Sequence, residues 1–366
     1  MGTRGDANDT ANTLLTPLAE YYGVMIGQDP RTDELDGTQA MFRAYSGERR
    51  DRAPIIETED FRDEAARRFW DDYSPPHFGF KKGPDDTYSW NSETFGLAAA
   101  ARYAAYFSNR ICNPDPAHSK WSGYASIYWS DSNADGRQDS SEVCRVSGKV
   151  DAVRLPKQAF YVYRVMQNPE PDIHIIGHWT YPANTVKDMY VAANHCDSVE
   201  LFVNGKSQGV CSTPIDGYIF PFRKIKFEPG KISADAKKNG YILAQDVIQT
   251  IGPAKALKLT PYINPTGFVA DGSDVAFFDV EVVDAEGRRC PTDEARVDFK
   301  LDGPAIWRGG YNSGKINSIN NTYLDTECGI NRVAIRSKPE AGQIILTATR
   351  PGLETATVRL ESKKAP

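Results

Sequence analysis

Long apolar runs and an excess of positive charge are both missing from the 366-residue sequence. The longest apolar stretches, such as residues 97–101, fall far short of the ~20 residues that cross a bilayer, so no membrane span is predicted. Asp and Glu number 49 against 43 Lys and Arg, and a net charge of −6 offers no positive field to a phosphate backbone. Nucleic acid is therefore excluded as an expected partner.

Cysteine is scarce and scattered, with six residues at positions 112, 144, 196, 211, 290 and 328. None forms a C-x-x-C pair or lies near a histidine at zinc-ligand spacing, so a zinc site is not expected. Cys196 and Cys211 bracket a hairpin whose Asn204-Gly205 turn would pair residue 198 with residue 211. The two thiols would then lie about two positions out of register, which favours free thiols over a disulfide.

Residues 1–167 show strand and helix patterns in alternation, which predicts a parallel α/β sheet. Hydrophobic residues make up 40% of the chain and charged residues 25%, an ordinary composition for folded domains. The first twenty residues have no basic segment followed by an apolar core, so no signal peptide is predicted. Strands are predicted at 22–25, 54–56 and 123–129, and helices at 63–72 and 94–108.

The pattern changes near residue 168, where Gln167-Asn168-Pro169-Glu170-Pro171 forms a polar, proline-rich linker. Short alternating strands follow as far as a second break at Gly252-Pro253, and another series begins at Ala256. Strands at this spacing are typical of β-sandwiches. Three domains are therefore predicted, at residues 1–167, 168–253 and 254–366.

Several distinctive motifs occur after residue 170: G-H-W-T-Y-P at 177–182, C-D-S-V-E-L-F-V-N-G-K-S at 196–207, F-E-P-G at 227–230, D-G-S-D at 271–274 and V-D-A-E-G at 283–287. In this order they resemble bacterial glycoside hydrolases of family 2, the β-galactosidase type. The resemblance implies two immunoglobulin-like β-sandwiches, the second invasin-like, after the C-terminal part of a (β/α)₈ TIM barrel. The implied fold is thus α/β followed by all-β.

Two patches before residue 168 resemble the last strands of that barrel. Residues 54–59, P-I-I-E-T-E, resemble the seventh strand, and residues 121–131 resemble the eighth. Retaining glycosidases use two carboxyl groups about 5–5.5 Å apart, one of which attacks the anomeric carbon. The resemblance implies Glu59 as the nucleophile, with Glu57 as the fallback, because period-two alternation would turn both to the same side. A surface salt-bridge role for both residues stays open.

Other candidate substrate contacts lie on the segments around these strands. Trp129 is either a stacking platform for a sugar ring or a packed core residue. His77 lies in an aromatic-rich loop, where it either contacts substrate or is solvated.

The segment from Asp131 to Glu142 matches the oxygen-ligand spacing of a calcium loop. The ligands would be the side chains of Asp131, Asn133, Asp135, Asp139 and Glu142. Two other interpretations stay open: a metal-free turn in which Asp131 or Asn133 binds sugar hydroxyls, and a plain solvated loop. No cofactor other than this calcium is expected.

The proton donor of the family, which follows an asparagine, is not recognised in this sequence. Only 58 residues precede Glu59, and no Asn-Glu dipeptide occurs; the nearest imitation is Asn91-Ser92-Glu93. The chain alone is therefore expected to lack the acid/base and the N-terminal half of the enzyme, and to show no hydrolysis of aryl β-galactosides or related aryl glycosides. The resemblance implies a periplasmic or secreted parent enzyme.

Two functions remain open from the sequence. The first is retaining hydrolysis of terminal β-galactosides or related β-glycosides, from oligosaccharides or polysaccharide breakdown. The second is a non-catalytic carbohydrate-binding or spacer module. The sequence does not identify the sugar.

Overall fold

A computed structural model describes residues 3–4, 25–27, 55–60, 65–67, 91–106, 123–126, 129–133, 144–312 and 320–365. Within these ranges it contains two helices, α1 at Ser92–Tyr106 and α2 at Gln158–Gln167, and twenty-two strands. Neither of these helices combines the length and apolar character that a bilayer crossing requires.

Four short strands form a parallel sheet in the first part of the chain. They are β1 (Thr3–Arg4), β2 (Met25–Gly27), β3 (Ile55–Asp60) and β4 (Gly123–Ser126), and they lie side by side in chain order. Each neighbouring pair is parallel. Since consecutive parallel strands require a crossover between them, this pairing agrees with the predicted α/β organisation. Closure into a barrel stays a prediction.

The helices pack against each other through small residues on one side. A Cβ at Gly96 of α1 would lie 3.3 Å from Cγ2 of Val162 of α2, so the glycine permits the close approach. Asn91 caps α1, because its Oδ1 accepts a hydrogen bond from the Thr94 backbone N–H at 2.8 Å. The predicted helix at 94–108 is thereby confirmed with earlier bounds, whereas α2 was not predicted.

The helix predicted at 63–72 is wrong for the residues that the structure describes. Residues 65 and 66 have no regular secondary structure, residue 67 lies in a turn, and all three are buried. The Ala65 backbone N–H donates to the Val146 carbonyl at 3.2 Å, and the Arg67 side chain is buried among polar partners. Tertiary contacts therefore override the local helical preference.

The first β-sandwich consists of seven strands in two sheets that share one core. The sheet orders are β10-β9-β12-β13 and β11-β8-β7. The strands are β7 (Ile173–Ile176), β8 (Val186–Ala193), β9 (Ser198–Val203), β10 (Lys206–Cys211), β11 (Ile219–Lys226), β12 (Lys231–Lys238) and β13 (Tyr241–Gln249). Trp179 is fully buried in the core, where its indole N–H donates to the Glu228 carbonyl at 3.1 Å.

The hairpin between β9 and β10 has the predicted two-residue turn but a shifted register. Asn204 and Gly205 both have positive φ, 49° and 79°, as a type I′ turn requires. A bulge between Ser207 and Gly209 adds one residue, so Cys211 pairs with Val199 and not with residue 198. The thiols of Cys196 and Cys211 are consequently free.

The second β-sandwich has sheets of order β14-β16-β20-β18 and β15-β22-β21-β17-β19. Its strands are β14 (Ala256–Tyr262), β15 (Phe268–Ala270), β16 (Val275–Val283), β17 (Arg296–Asp302), β18 (Ala305–Gly310), β19 (Tyr323–Asp325), β20 (Ile330–Ser337), β21 (Gln343–Thr349) and β22 (Ala356–Lys364). Strand β16 has the predicted bounds. Strands β15, β18 and β19 were not predicted; two of them have only three residues. The immunoglobulin-like description and the domain boundaries stay predictions.

A two-stranded antiparallel pair lies between the parallel sheet and α2. Strand β5 (Ser132–Asn133) pairs with β6 (Cys144–Arg145). The pair places Asn133, near the start of the predicted calcium loop, opposite Cys144.

Candidate functional site

The carboxyl edge of the parallel sheet is the candidate site. Strands β3 and β4 end side by side there, with Glu57 opposite Tyr124 and Asp60 opposite Ser126. Between these two pairs β3 has one residue more than β4, so the strand contains a bulge. Glu59 lies within this irregular stretch. Parallel α/β sheets display functional groups at this edge, and bulges are frequent beside active sites.

Because of the bulge, Glu57 and Glu59 are no longer expected to face the same side of the sheet by simple alternation. Period-two alternation applies only to a regular strand, and the register shifts between Glu57 and Asp60. Glu57 pairs regularly, with Gly27 on one side and Tyr124 on the other. Glu59 is therefore the carboxylate residue in the irregular part of the edge. The catalytic roles of both residues stay predictions.

Trp129 follows β4 and has an exposed side chain. Its indole is 62% accessible and contacts Phe160 edge-on, with ring centroids 5.8 Å apart. Its backbone is held in place, because its carbonyl accepts hydrogen bonds from the N–H groups of Lys149 at 2.9 Å and Val150 at 3.0 Å. Of the two interpretations, the packed core residue is wrong. A firmly held and exposed ring suits the stacking role, which stays a prediction.

Asp131 lies two residues further on and is buried. Its Oδ1 accepts hydrogen bonds from the Lys157 ammonium at 2.6 Å and from the Gly148 backbone N–H at 2.9 Å. Its Oδ2 has no hydrogen-bond partner among the described residues. Burial raises the pKa of Asp131 to about 7, although the nearby Lys157 ammonium acts in the opposite direction.

Lys157 is the residue of this site that the sequence analysis missed. It immediately precedes α2, and its side chain is fully buried. The ammonium also donates to the Val146 carbonyl at 2.8 Å and lies 5.6 Å from the centre of the Phe95 ring. A single lysine before a helix carries no sequence signal for this role. The pair ties the segment after β4 to the start of α2.

Gly148 fits closely beneath this segment. A Cβ at this position would lie 2.2 Å from the Asp131 backbone nitrogen and 2.4 Å from the Val150 carbonyl oxygen. Both neighbours are backbone atoms, so no side-chain movement would relieve the clash. The chain at 129–131 therefore depends on glycine at position 148.

The remaining predicted site residues are only partly described. Asn133 belongs to β5, and only its backbone is described. His77, Asp135, Asp139 and Glu142 lie outside the described residues. Among the residues that are described, no three or more His, Cys, Asp or Glu side chains group so as to hold a metal ion. The calcium loop stays a prediction.

Glu93, the nearest imitation of the missing proton donor, is part of a buried ion pair. Its two carboxylate oxygens lie 3.0 and 2.8 Å from the Lys187 ammonium, which also donates to the Tyr181 hydroxyl at 3.1 Å. Lys187 belongs to β8, so this pair joins α1 to the first sandwich. Its environment is that of an interdomain contact.

Arg67 makes the corresponding contact to the second sandwich. Its guanidinium lies 2.7 Å from the Asp151 carboxylate and donates to the carbonyls of Glu327 and Ile330. A second contact runs from the sandwich: Arg332 of β20 donates a hydrogen bond to the Val153 carbonyl at 3.1 Å. Both sandwiches are thereby attached, through buried polar groups, to the part of the chain that carries the candidate site.

Two family models match the sandwich regions. Residues 258–359 match the glycoside hydrolase family 2 C-terminal domain 5, and residues 184–244 match a domain of unknown function, DUF4982. The second sandwich is thus a C-terminal domain of the family 2 glycoside hydrolases, and the chain corresponds to the C-terminal region of such proteins.

Particular relatives extend this similarity to the parallel sheet. A β-glucuronidase of Formosa agariphila is 47% identical over 329 residues, which cover 89% of this chain and 32% of the relative. A β-galactosidase of Bacteroides ovatus is 32% identical, over 59% of this chain and 25% of the relative. The solved structure of a family 2 β-glucuronidase superimposes with a TM-score of 0.81 and 43% identity, over 94% of this chain and 34% of that one. The chain therefore spans about a third or less of the length of these relatives.

Proposed function

We propose that this chain supplies the nucleophile of a retaining family 2 β-glycosidase, and that the nucleophile is Glu59. The observation that carries the proposal is the position of Glu59 in the bulge at the carboxyl edge of the parallel sheet, beside the strand that leads to Trp129. In this mechanism the Glu59 carboxylate attacks the anomeric carbon, the leaving group departs, and water then hydrolyses the glycosyl ester. The parallel strands would be the last strands of a (β/α)₈ barrel.

The chain's own side chains would position the sugar ring. Trp129 would lie against its apolar face, since the indole is exposed while its backbone is fixed. The buried Asp131–Lys157 pair would hold that segment against α2. Asp131 would then act on the substrate only through the position of Trp129.

A β-glucuronoside is the substrate we propose in preference to a β-galactoside. Two relatives above 40% identity, each matched over most of this chain, are β-glucuronidases, whereas the β-galactosidase is 32% identical. The glycoside would come from an oligosaccharide or from polysaccharide breakdown.

The loop from 131 to 142 is proposed to work without calcium. The Lys157 ammonium already occupies Oδ1 of Asp131, and a cation 2.6 Å from this oxygen would repel a second one. After chelator treatment, millimolar calcium should leave the melting temperature of the chain unchanged. A clear rise in melting temperature would show that the loop binds the metal.

The leaving-group dependence of turnover tests the proposal. Because no proton donor is recognised in this sequence, the chain should consume β-glucuronosyl fluoride, whose leaving group needs no protonation, but not methyl β-glucuronoside. Glu59→Gln should abolish fluoride release, and Glu57→Gln is the matched control that should retain it. Turnover of the methyl glycoside that Glu59→Gln abolishes would show that the donor is in this chain. No fluoride release at all would favour a non-catalytic module.

A further inference from the structure

A cleft of about 370 Å³ lies between helix α2 and the second sandwich, and we name it the sandwich cleft. One wall comes from the start of α2 and the other from strands β14, β16 and β20 with the chain before them. The residues that bear on its chemistry are Gln158, Tyr161, Lys258, Tyr262, Arg289 and Arg332. Its volume lies within the range of small-ligand sites.

The sandwich wall of this cleft is a polar sheet face with its charges matched in pairs. Lys258 of β14 is opposite Glu281 of β16, with the ammonium 2.9 Å from the carboxylate. Arg332 of β20 is opposite Asp279, and two of its nitrogens lie 2.6 and 3.1 Å from the carboxylate oxygens. These pairs leave the wall neutral but rich in donors and acceptors.

Arg289 is the exception in this balance of charge. The other cations of the lining face carboxylates: Arg67 faces both Asp151 and Glu327, Lys157 faces Asp131, Lys258 faces Glu281, and Arg332 faces Asp279. The Arg289 guanidinium is exposed and has no ion pair or hydrogen bond with any residue that the structure describes. The Arg289 guanidinium is therefore available to bind one anionic group on a ligand.

Two tyrosine rings line the cleft from opposite sides. Tyr161 of α2 is held by stacking on His174, with ring centroids 4.6 Å apart. Tyr262 of β14 is half exposed, and the Arg332 guanidinium lies 5.2 Å from its ring centre. Fixed tyrosine rings beside planar polar groups are suited to contact with a sugar and its hydroxyl groups.

Lys157 connects the cleft to the segment that follows strand β4. Lys157 lines the cleft, and its ammonium is bonded to Asp131, two residues after Trp129. Ser92, at the start of α1, also lines the cleft, and its hydroxyl accepts a hydrogen bond from the Gln158 backbone N–H at 3.4 Å. The wall of the cleft is thus attached through Lys157 to the segment that carries Trp129.

We infer that the sandwich cleft is a subsite for a further sugar unit that carries one anionic group, either a carboxylate or a sulfate ester. Arg289 binds the anion, and the two tyrosines bind the ring. The inference rests on the proposed function for the choice of a glycan as ligand. It makes the second sandwich part of substrate recognition by this enzyme class.

Direct titration of the full chain tests the subsite. The probes are cellobiose, the same disaccharide with glucuronic acid at its non-reducing end, and cellobiose carrying a 6-sulfate. At least one anionic probe should bind about tenfold or more tightly than cellobiose, and the probe whose tighter binding is lost in Arg289→Gln identifies the anion. Arg289→Gln should weaken it roughly 10- to 100-fold, as expected for loss of a charge-assisted contact, whereas Arg289→Lys should retain most of the affinity.

Arg359→Gln is the matched control, because Arg359 is also an exposed arginine of the second sandwich but lies on β22, outside the cleft lining. Equal binding of cellobiose and both anionic probes, or equal losses in the two glutamine variants, would overturn the subsite. If fluoride release needs Glu59 but no probe binds in an Arg289-dependent way, the subsite is refuted and the proposed function is supported. If a probe binds in an Arg289-dependent way but the chain releases no fluoride, the subsite is supported and the proposed function is refuted.

Discussion

Two aspartates, one at the candidate site and one in the second sandwich, each face a cation but differ in how many hydrogen bonds they accept. Asp131 accepts two, from Lys157 and Gly148, both on the same oxygen. Asp284 lies under a surface turn and accepts hydrogen bonds on both oxygens, including three from the backbone and side chain of Arg288. Neither carboxylate is exposed to water.

The pKa values move in opposite directions as a result. Burial raises the pKa of Asp131 to about 7 because two donors compensate only part of the desolvation. Burial acts in the same direction on Asp284, but the hydrogen bonds from Arg288 and from the Gly252 backbone hold its pKa well below its usual range. The comparison shows that the sandwich turn is a stabilised structural feature, whereas the candidate site contains a carboxylate at an energetic cost.

The largest difference between the two sites is expected in the stability lost when the cation that faces each aspartate is removed. Lys157→Met leaves the Asp131 carboxylate buried without its partner, and we expect a loss of about 3–5 kcal/mol in the free energy of unfolding. Arg288→Gln should cost less, because three backbone N–H groups still bind Asp284. Urea unfolding of both variants measures the difference. Equal losses would contradict the comparison.

The pH dependence of stability should have opposite signs at the two aspartates. The pKa of Asp131 is raised on folding, so its contribution to stability falls as pH rises from about 4 to 7, at up to about 1.4 kcal/mol per pH unit. The pKa of Asp284 is lowered on folding, so its contribution is present above its unfolded pKa, near 4, and is lost as pH falls below that value.

Asparagine variants isolate these two contributions. The stability difference between the parent chain and Asp131→Asn should shrink from pH 4 to pH 7, whereas the difference for Asp284→Asn should grow from pH 2 to pH 5. Unfolding free energies measured across this range check both slopes. Slopes of the same sign would show that the two carboxylates are equivalent.

Two glycines extend the comparison to the backbone, with smaller expected effects. Gly148→Ala should cost about 2–3 kcal/mol, because its Cβ would meet backbone atoms at 2.2 and 2.4 Å. Gly205→Ala should cost about 1 kcal/mol, since no atom lies within 4 Å of its Cβ and only the φ of +79° is unfavourable. Thermal unfolding of the two variants shows which one loses more stability. A larger loss for Gly205→Ala would contradict the expected effect of the backbone clash at Gly148.

The sandwich regions were largely predictable, because their core residues alternate along strands bounded by turn signals. Strand β9, for example, alternates between partly buried and fully buried residues over its whole length. The shift of Cys211 to Val199 was not predictable, since a bulge at Gln208 depends on tertiary packing. Helix α2 could have been found from the buried positions Val162, Val165 and Met166, which share one helix face.

The candidate site was predictable only where it follows a strand. The edge at Glu59 and the position of Trp129 after β4 follow from strand and family patterns. Lys157, Arg67 and Lys187 were missed, because each is a single charged residue whose buried partner lies 26 or more positions away in the chain. Sequence spacing carries no information about contacts of this kind.

The most direct test of the central claim is covalent trapping of the nucleophile in the full chain. After incubation with 2-deoxy-2-fluoro-β-glucuronosyl fluoride, peptide mapping by mass spectrometry should find the sugar on Glu59. Glu57→Gln should keep the label and Glu59→Gln should lose it, because only the nucleophile forms the glycosyl ester. A label on Glu57 or on any other residue, or no label in the parent chain, would contradict the assignment.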